Sequence, residues 1–243
     1  MHTAYERVIA PYLAGKAETC SYCDYLEPLV LLPGRYAYVT IAIGQYVEGY
    51  VQVCTRSHRT AMTGLLDYEA RELETMRAVV REAYRRLYGT PGVAFEHGKA
   101  GSCMWTGERA QNALSLCHHC HVHYLPRSID IRADVRAYCR EEIPIQSLED
   151  LRQIRAEVLE GAPYLYFEDA NLQGYVYPVN DKEIPRQFLR RCVARKLGME
   201  ERADWHTYPG TEFFAATEKR LGPVLRKVYS EMTGSGVMGR HRC

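Results

Sequence analysis

The chain has 243 residues, of which 47% are hydrophobic and 25% charged, as expected for a globular protein with its own core. A formal net charge of +1 argues against a dedicated nucleic-acid or membrane surface. No apolar run approaches the roughly 20 residues of a membrane span, and no secretion signal is evident at the N-terminus, so we expect a cytoplasmic protein.

Nine cysteines is an odd number, and without a secretion signal this favours metal ligation or free thiols over disulfides. Near the N-terminus the run Cys20-Ser21-Tyr22-Cys23 places two thiols with two residues between them. Two thiolates at this spacing can bind one tetrahedral Zn²⁺. Such a site needs two further ligands from elsewhere in the chain.

The first half of the chain alternates helices and strands. The predicted elements are a helix within 1–19 that ends at Gly15, strands at 35–43, 50–54 and 93–96, and a helix over 67–88. Asp67 is expected to cap that long helix, and Gly89 to end it. A polar, glycine-containing loop follows to about residue 112, and loops of this kind often cover a ligand.

The second half has a different pattern after residue 140. The predicted elements are a helix after the cap at 147–150, a hairpin of strands 164–167 and 175–177, a helix over 185–198, and a helix over 211–221. Gly222-Pro223 is expected to interrupt the last helix. The arginine pairs Arg85-Arg86 and Arg190-Arg191 are expected on the surface.

A histidine tract, His118-His119-Cys120-His121-Val122-His123-Tyr124-Leu125-Pro126, stands between these halves. Successive side chains of a strand alternate between two faces, so a strand here places His119, His121 and His123 on one surface. Imidazole acts as nucleophile, acid or base near neutral pH. We therefore interpret the tract as a functional strand; a metal-binding tract is the alternative.

These segments together resemble the histidine-triad (HIT) superfamily, whose signature alternates histidines with apolar residues. The signature stands here as His119-Cys120-His121-Val122-His123-Tyr124-Leu125, followed by Pro126-Arg127. Residues 49–58 resemble the family's segment of a glycine and a strand ending in a basic residue and His58. Residues 95–98 resemble a glutamate-bearing strand end. The resemblance covers about residues 18–128.

The resemblance implies an α+β fold with a central antiparallel sheet, commonly dimerised, and we expect a homodimer. We divide the chain into a HIT-like catalytic domain over 1–135, a C-terminal α/β extension over 140–233 packed on it, and a flexible tail over 234–243. The partner implied is a nucleotide-type small molecule, with no nucleic acid and no membrane.

The resemblance also implies chemistry at the α-phosphorus of a nucleotide. His121 would be the nucleophile, His123 would contact the phosphate oxygens, and the carbonyl of His119 would hold the Nδ1 proton of His121. Oriented donors must stabilise charge on the phosphoryl oxygens, and Ser115 would assist His123 there. The other expected substrate contacts are His97, Arg127 and Tyr38.

In zinc-bearing branches of the family, which include galactose-1-phosphate uridylyltransferase, a Cys-x-x-Cys pair, a later histidine and the first triad histidine hold the metal. The resemblance carries these roles to Cys20, Cys23, His58 and His119, a structural set of four protein ligands. The competing set replaces the two histidines with Cys117 and Cys120. Strand alternation argues against that set, because those two thiols would face opposite ways.

One departure concerns the ribose hydroxyls, which many members bind with an acidic residue where this chain has Ala42. This leaves open a nucleotide-binding protein without turnover. The third histidine of the signature, where the uridylyltransferases have glutamine, favours a hydrolase over a sugar-nucleotide transferase. A nucleotidyltransferase or phosphorylase of a specialised biosynthetic pathway is the remaining alternative.

Overall fold

The structure is a computed structural model that describes residues 3–14, 19–100, 118–154, 162–179 and 184–234. Predictions for Gly15, for the loop over 101–117, and for the tail beyond residue 234 lie outside these residues. Within them, the α+β class predicted from the sequence is confirmed by a central antiparallel sheet with helices packed against it.

Eight strands form one sheet. They are β1 (Val30–Leu32), β2 (Ala37–Ile41), β3 (Val51–Thr55), β4 (Val93–Gly98), β5 (His121–Leu125), β6 (Ile143–Ile145), β7 (Tyr164–Glu168) and β8 (Gly174–Pro178). Their order is β1-β2-β3-β5-β4-β7-β8-β6, and each pairing between neighbours is antiparallel. The histidine strand β5 is therefore central, between β3 and β4.

Six helices accompany the sheet in the described residues. They are α1 (Ala4–Leu13), α2 (Asp67–Tyr88), α3 (Arg132–Arg136), α4 (Leu148–Ile154), α5 (Phe188–Lys196) and α6 (Phe214–Thr233). None of these helices combines the length and the apolar character that a membrane span requires.

The two faces of the sheet carry separate cores. On β5, Val122 and Tyr124 join the core beneath α2 and α6, while Leu125 joins the core beneath α3 and α5. The period-two alternation of the strand thus separates Val122 and Tyr124 from His121 and His123, which line the cavity described below.

The proposed boundary between 1–135 and 140–233 falls within the chain that builds this one sheet. Strands β6, β7 and β8 come from the second part, and β7 pairs with β4 from residue Ala94↔Glu168 to Gly98↔Tyr164. The division into a catalytic domain and an extension remains a prediction.

Helix boundaries differ from the sequence-based expectation in three places. Asp67 is the first helical residue of α2 and not its cap; the cap position is Leu66, whose N–H donates to the Glu69 carboxylate at 2.9 Å. Helix α5 begins at Phe188, three residues after the predicted Pro185.

Helix α6 continues through Gly222-Pro223 to Thr233, so the predicted interruption was wrong. Proline removes one backbone hydrogen bond and usually kinks or ends a helix. Here the residues around it, Leu221, Leu225 and Val228, are buried in the core beneath α2. The apolar packing of this face outweighs the local preference.

Candidate functional site

The histidine strand begins later than predicted. Strand β5 starts at His121, whereas His118, His119 and Cys120 precede it without strand structure. His119 therefore does not share the strand geometry of the other two triad histidines, although all three line the same cavity.

Four side chains meet beside the start of β5 in the way the resemblance implied. Cys20, Cys23, His58 and His119 offer ligand atoms that all lie within 4.8 Å of one another. Cys23 Sγ is 3.2 Å from His58 Nδ1 and 3.5 Å from His119 Nδ1, and Cys20 Sγ is 3.6 Å from His119 Nδ1. Ligands of a tetrahedral zinc are roughly 3.5 Å apart, so these residues can hold a metal ion.

The surroundings of the group also suit a cation. His119 Nε2 donates to the Thr55 carbonyl at 2.8 Å, which leaves the Nδ1 lone pair facing the two sulfurs. Burial raises the pKa of the Cys20 thiol to about 12, so the thiolate form needs a cation beside it.

The competing four-cysteine set is not assembled, because Cys120 lies away from Cys20 and Cys23. Cys120 is buried on the opposite side, where its Sγ donates to the Glu96 carboxylate at 3.6 Å. Cys117 lies outside the described residues. Among the described residues, the group of Cys20, Cys23, His58 and His119 is the one whose atoms converge.

His121 has its Nδ1 bonded to the carbonyl of His119 at 2.6 Å. A carbonyl oxygen only accepts, so the proton of the neutral imidazole must be on Nδ1. Its Nε2 then carries a lone pair. This is the arrangement that the sequence resemblance implied for a nucleophile.

His123 is held in the opposite tautomer. Arg190 Nη1 donates to the Tyr50 hydroxyl oxygen at 2.8 Å, so the hydroxyl proton of Tyr50 is free to be donated to His123 Nδ1 at 2.7 Å. Gln52 Nε2 approaches the same ring nitrogen at 3.3 Å. Two donors at Nδ1 place the proton of neutral His123 on Nε2, which makes Nε2 a hydrogen-bond donor.

Burial keeps these imidazoles neutral. It lowers the pKa of His121 to about 4 and that of His97 to about 3, and it lowers the pKa of His123 well below its ordinary value. The positive charge of Arg190 acts in the same direction on all three. A neutral imidazole with a free lone pair is a competent nucleophile, and one with a fixed N–H is a donor to an anion.

The histidines line a cavity that opens to solvent. Its described lining contains five imidazoles and one guanidinium but no carboxylate. The polar members are Tyr12, Ser21, Tyr22, Tyr38, Thr40, Gln52, His97, His118, His119, His121, His123, Gln187 and Arg190. The cavity is therefore suited to an anionic ligand.

The other predicted substrate contacts fall in different places. Tyr38 and His97 line the cavity; the Tyr38 hydroxyl donates to the Tyr22 carbonyl at 2.9 Å, and His97 Nε2 accepts from the Leu189 amide at 3.1 Å. Arg127 is exposed beyond the far end of β5 and is not among the lining residues. Ser115 lies outside the described residues.

Several cavity residues were missed from the sequence. Tyr22, between the paired cysteines, stacks on the His121 ring with 4.5 Å between centroids. Gln52 lines the cavity and Tyr50, behind it, bonds to His123, but the sequence pattern indicates both only as strand residues. Arg190, expected on the surface, is 3% exposed and lines the cavity. Strand alternation could have indicated Gln52, a polar residue in a buried strand, but no local pattern distinguishes Arg190 from Arg191.

Comparisons with known proteins find no matching family model and no matching curated protein. Solved structures give distant likenesses. A hypothetical histidine triad nucleotide-binding protein from Sulfolobus tokodaii is 10% identical with a TM-score of 0.42, over 90% of this chain and 100% of that chain. Plasmodium falciparum diadenosine triphosphate hydrolase, in complex with cyclomarin A, is 16% identical with a TM-score of 0.34, over 65% and 98%.

A third solved structure is a Hit-like protein involved in cell-cycle regulation from Bartonella henselae. It is 10% identical with a TM-score of 0.30, over 49% of this chain and 75% of that chain. At these identities and scores the likenesses do not indicate a function. Function must therefore be inferred from the side chains of this chain.

Proposed function

We propose that this protein is a histidine-triad enzyme that hydrolyses a nucleoside phosphate, a nucleoside phosphoramidate or a dinucleoside polyphosphate at its α-phosphorus. The observation that carries the proposal is the bond of 2.6 Å between His121 Nδ1 and the His119 carbonyl. It leaves His121 Nε2 as a nucleophile at the cavity, and the signature residues 119–125 supply the family context.

The proposed reaction has two steps. The lone pair of His121 Nε2 attacks the phosphorus, the bond to the leaving group breaks, and the leaving group departs with that electron pair and is protonated. The ring then carries a positive charge, which the His119 carbonyl stabilises through the Nδ1 proton. Water next attacks the phosphorus, the N–P bond breaks, and neutral His121 is restored while the water proton is released.

His123 supports both steps by the same contact. Its Nε2–H is fixed by the donors at Nδ1, Tyr50 and Gln52, and would donate to a non-bridging phosphoryl oxygen. Donors fixed before the reaction stabilise the charge that develops there without reorganisation. Transfer of the nucleotidyl group to phosphate or another acceptor would use the same first step.

For the metal group we propose zinc in a structural role. Four protein ligands leave no open coordination position for substrate or water. When bound, zinc supplies a cross-link between residues 20–23, His58 and His119. His119 in turn provides the carbonyl that orients His121. The homodimer and the cytoplasmic location expected from the sequence stay predictions.

The second candidate is a protein that binds a nucleotide without turning it over. It is favoured by the described cavity lining, which has no carboxylate to bind ribose hydroxyls, and by Ala42, which is fully buried where the family has an acid. The test of turnover separates the two candidates.

The test compares His121→Ala with His206→Ala on the zinc-loaded protein. His206 stacks on Trp205 and does not line the cavity, so its removal controls for the loss of a partly buried imidazole. With adenosine 5′-phosphoramidate, diadenosine triphosphate and diadenosine tetraphosphate as substrates, we expect His121→Ala to lower kcat by at least about 10³-fold. Equal turnover by folded His121→Ala and wild-type protein would contradict the proposal.

A further inference from the structure

Arg190 is a buried cation at the cavity. Its side chain, on helix α5, is 3% exposed, and it lines the cavity together with Gln187 and Trp205. The backbone of the β2–β3 connection lies directly against it: a Cβ placed on Gly44 would lie 2.5 Å from Arg190 Nη2 and 2.5 Å from Trp205 Cβ. The guanidinium is therefore held firmly in position.

The partners that hold it are all neutral. Arg190 Nη2 donates to the Gly44 carbonyl at 2.9 Å, Nη1 donates to the Tyr50 hydroxyl at 2.8 Å, and Nε donates at 3.2 Å to both Gln187 Oε1 and the Ala203 carbonyl. Guanidinium has five N–H donors, and these bonds use three of them. Within the described residues, one N–H on each terminal nitrogen remains for another acceptor.

In the described part of the chain, no carboxylate pairs with this charge. The electrostatic neighbours of Arg190 are the phenols of Tyr46, Tyr50 and Tyr22, and its guanidinium carbon lies 4.7 Å from the centre of the Tyr46 ring. Removing a charge from water without an opposite charge is costly, and buried charges are usually paired. An anion that enters the cavity would supply the missing counter-charge.

This anion differs from the phosphoryl group that His121 attacks. The Tyr50 hydroxyl lies between Arg190 and His123 Nδ1, at 2.8 Å from one and 2.7 Å from the other. The guanidinium is thus on the Nδ1 side of the His123 ring, whereas the proposed phosphoryl contact is Nε2, at the other side. An anion bound by Arg190 would therefore lie on the opposite side of that ring from the reacting phosphoryl group.

We propose that Arg190 recognises a second anionic group on the substrate, a phosphate or a carboxylate, beyond the phosphoryl group that reacts. The inference rests on the proposed function for the identity of the first group. It adds the class of substrate: a nucleotide with at least two separate anionic groups. A nucleoside monophosphate without a second anionic group would leave Arg190 without a counter-charge.

The test is equilibrium binding by calorimetry with matched ligand pairs that differ by one anionic group. The pairs are AMP with ADP, AMP with adenosine 3′,5′-bisphosphate, and UMP with orotidine 5′-monophosphate. They separate a phosphate on the 5′ chain, a phosphate on the ribose and a carboxylate on the base. We expect the doubly anionic member of at least one pair to bind roughly tenfold more tightly or better, since charge-assisted bonds are strong.

Two variants assign that preference to Arg190. Arg190→Gln should reduce it to less than about threefold. Gln187→Glu keeps the shape of Gln187 and places a carboxylate oxygen where Gln187 Oε1 now accepts from Arg190. This internal counter-charge should abolish the preference. The variant therefore tests the proposal even if Arg190→Gln does not fold. Arg191→Gln removes an exposed charge one residue along the same helix and should preserve the preference.

The proposal is overturned if no pair shows the preference in the wild-type protein, or if the preference survives Gln187→Glu unchanged. Because binding is measured without turnover, this result is independent of the reaction at His121. A preference that depends on Arg190 in a protein that forms no nucleotidyl-histidine would overturn the proposed enzyme activity alone.

Discussion

Two buried arginines on opposite faces of the sheet differ in the partners of their charge. Arg77, on α2, contacts Tyr124 of β5. Arg190, on α5, is connected to His123 of the same strand through the hydroxyl of Tyr50, which bonds to both. Arg77 is 2% exposed and Arg190 3%. Their burial is the same, but their partners are not.

Arg77 is paired within the fold. Its Nη1 lies 2.9 Å from the Glu74 carboxylate and its Nη2 lies 2.8 Å from that of Glu168, while its Nε donates to the Tyr124 hydroxyl at 2.7 Å. Arg81 adds a second guanidinium to Glu168 at 2.6 Å. Arg190 has carbonyls, an amide oxygen and phenols instead.

The difference separates a structural charge from a functional one. A buried charge with its counter-charge in the same chain needs nothing further, so Arg77 ties α2 to the sheet. A buried charge with neutral partners only is stabilised further by a ligand of opposite sign. Under the proposed function, the face with the imidazoles and Arg190 binds the ligand, and the face with Arg77 supports it.

The largest expected contrast between the two faces comes from removing the metal. Chelation, or Cys20→Ser, should release one zinc per chain and destabilise the cavity side, because the metal joins residues 20–23 to His58 and His119. Hydrogen–deuterium exchange should rise over residues 19–26 and 118–123, while the centre of α2 around Arg77 stays protected.

Cys139→Ser is the matched control, since Cys139 is buried and outside the metal group. It should keep the zinc and the protection pattern. Zinc retained in full by Cys20→Ser, or protection lost equally around Arg77, would count against the assigned metal group and against the independence of the two faces.

The next contrast is in stability. Arg77→Met should lower the free energy of unfolding by about 3 kcal/mol, because the buried Glu168 carboxylate loses the guanidinium of Arg77 and keeps that of Arg81. Arg190→Gln should cost less, since it removes hydrogen bonds but also an unpaired charge. Urea denaturation measures both.

Arg85→Met is the control on the same helix: Arg85 is exposed and 3.6 Å from Glu82, so its loss should cost less than about 1 kcal/mol. If Arg190→Gln destabilises the protein as much as Arg77→Met, Arg190 is a structural arginine like its counterpart, and the comparison fails.

The smallest expected effect is on the link between Arg190 and His123. Tyr50→Phe removes the hydroxyl that donates to His123 Nδ1, and Gln52 remains as the longer donor at 3.3 Å. We expect kcat to fall by roughly tenfold with KM within about threefold, because the Nε2 proton of His123 becomes less firmly fixed.

Tyr46→Phe controls for the loss of a buried hydroxyl. The Tyr46 hydroxyl donates to the Arg190 carbonyl at 3.0 Å and bonds to neither His121 nor His123. Its steady-state constants should stay within about threefold of wild type. Equal losses in kcat for the two variants would indicate a packing effect and not a role in positioning His123.

The sequence was sufficient where the determinants are local or belong to a motif. The apolar stripe and the terminal glycine of α2 indicated its bounds, 67–88, and the two-residue spacing in 119–125 indicated the strand and its central histidine. The four residues that could hold a metal came from the resemblance, because no spacing rule connects Cys20 to His119 across the fold.

The sequence was insufficient where a contact joins distant segments. Arg190 contacts Tyr50 and Gly44 because α5 packs on the β2–β3 connection. The local sequence of neither segment predicts this contact. The same applies to α6, whose core packing carries it through Pro223. The β5 boundary also differs, because His119 bonds to the Thr55 carbonyl and lies beside Cys20 and Cys23 instead of pairing in the strand.

The central claim, that His121 attacks phosphorus from this cavity, is tested most directly by trapping the intermediate. Zinc-loaded protein is mixed with a substrate labelled at the α-phosphorus, quenched within milliseconds, digested under alkaline conditions and mapped by mass spectrometry. We expect a nucleotidyl group on Nε2 of His121, absent in His121→Ala and present in His206→Ala. Substrate turnover with the label on another residue, or on none, would contradict the claim.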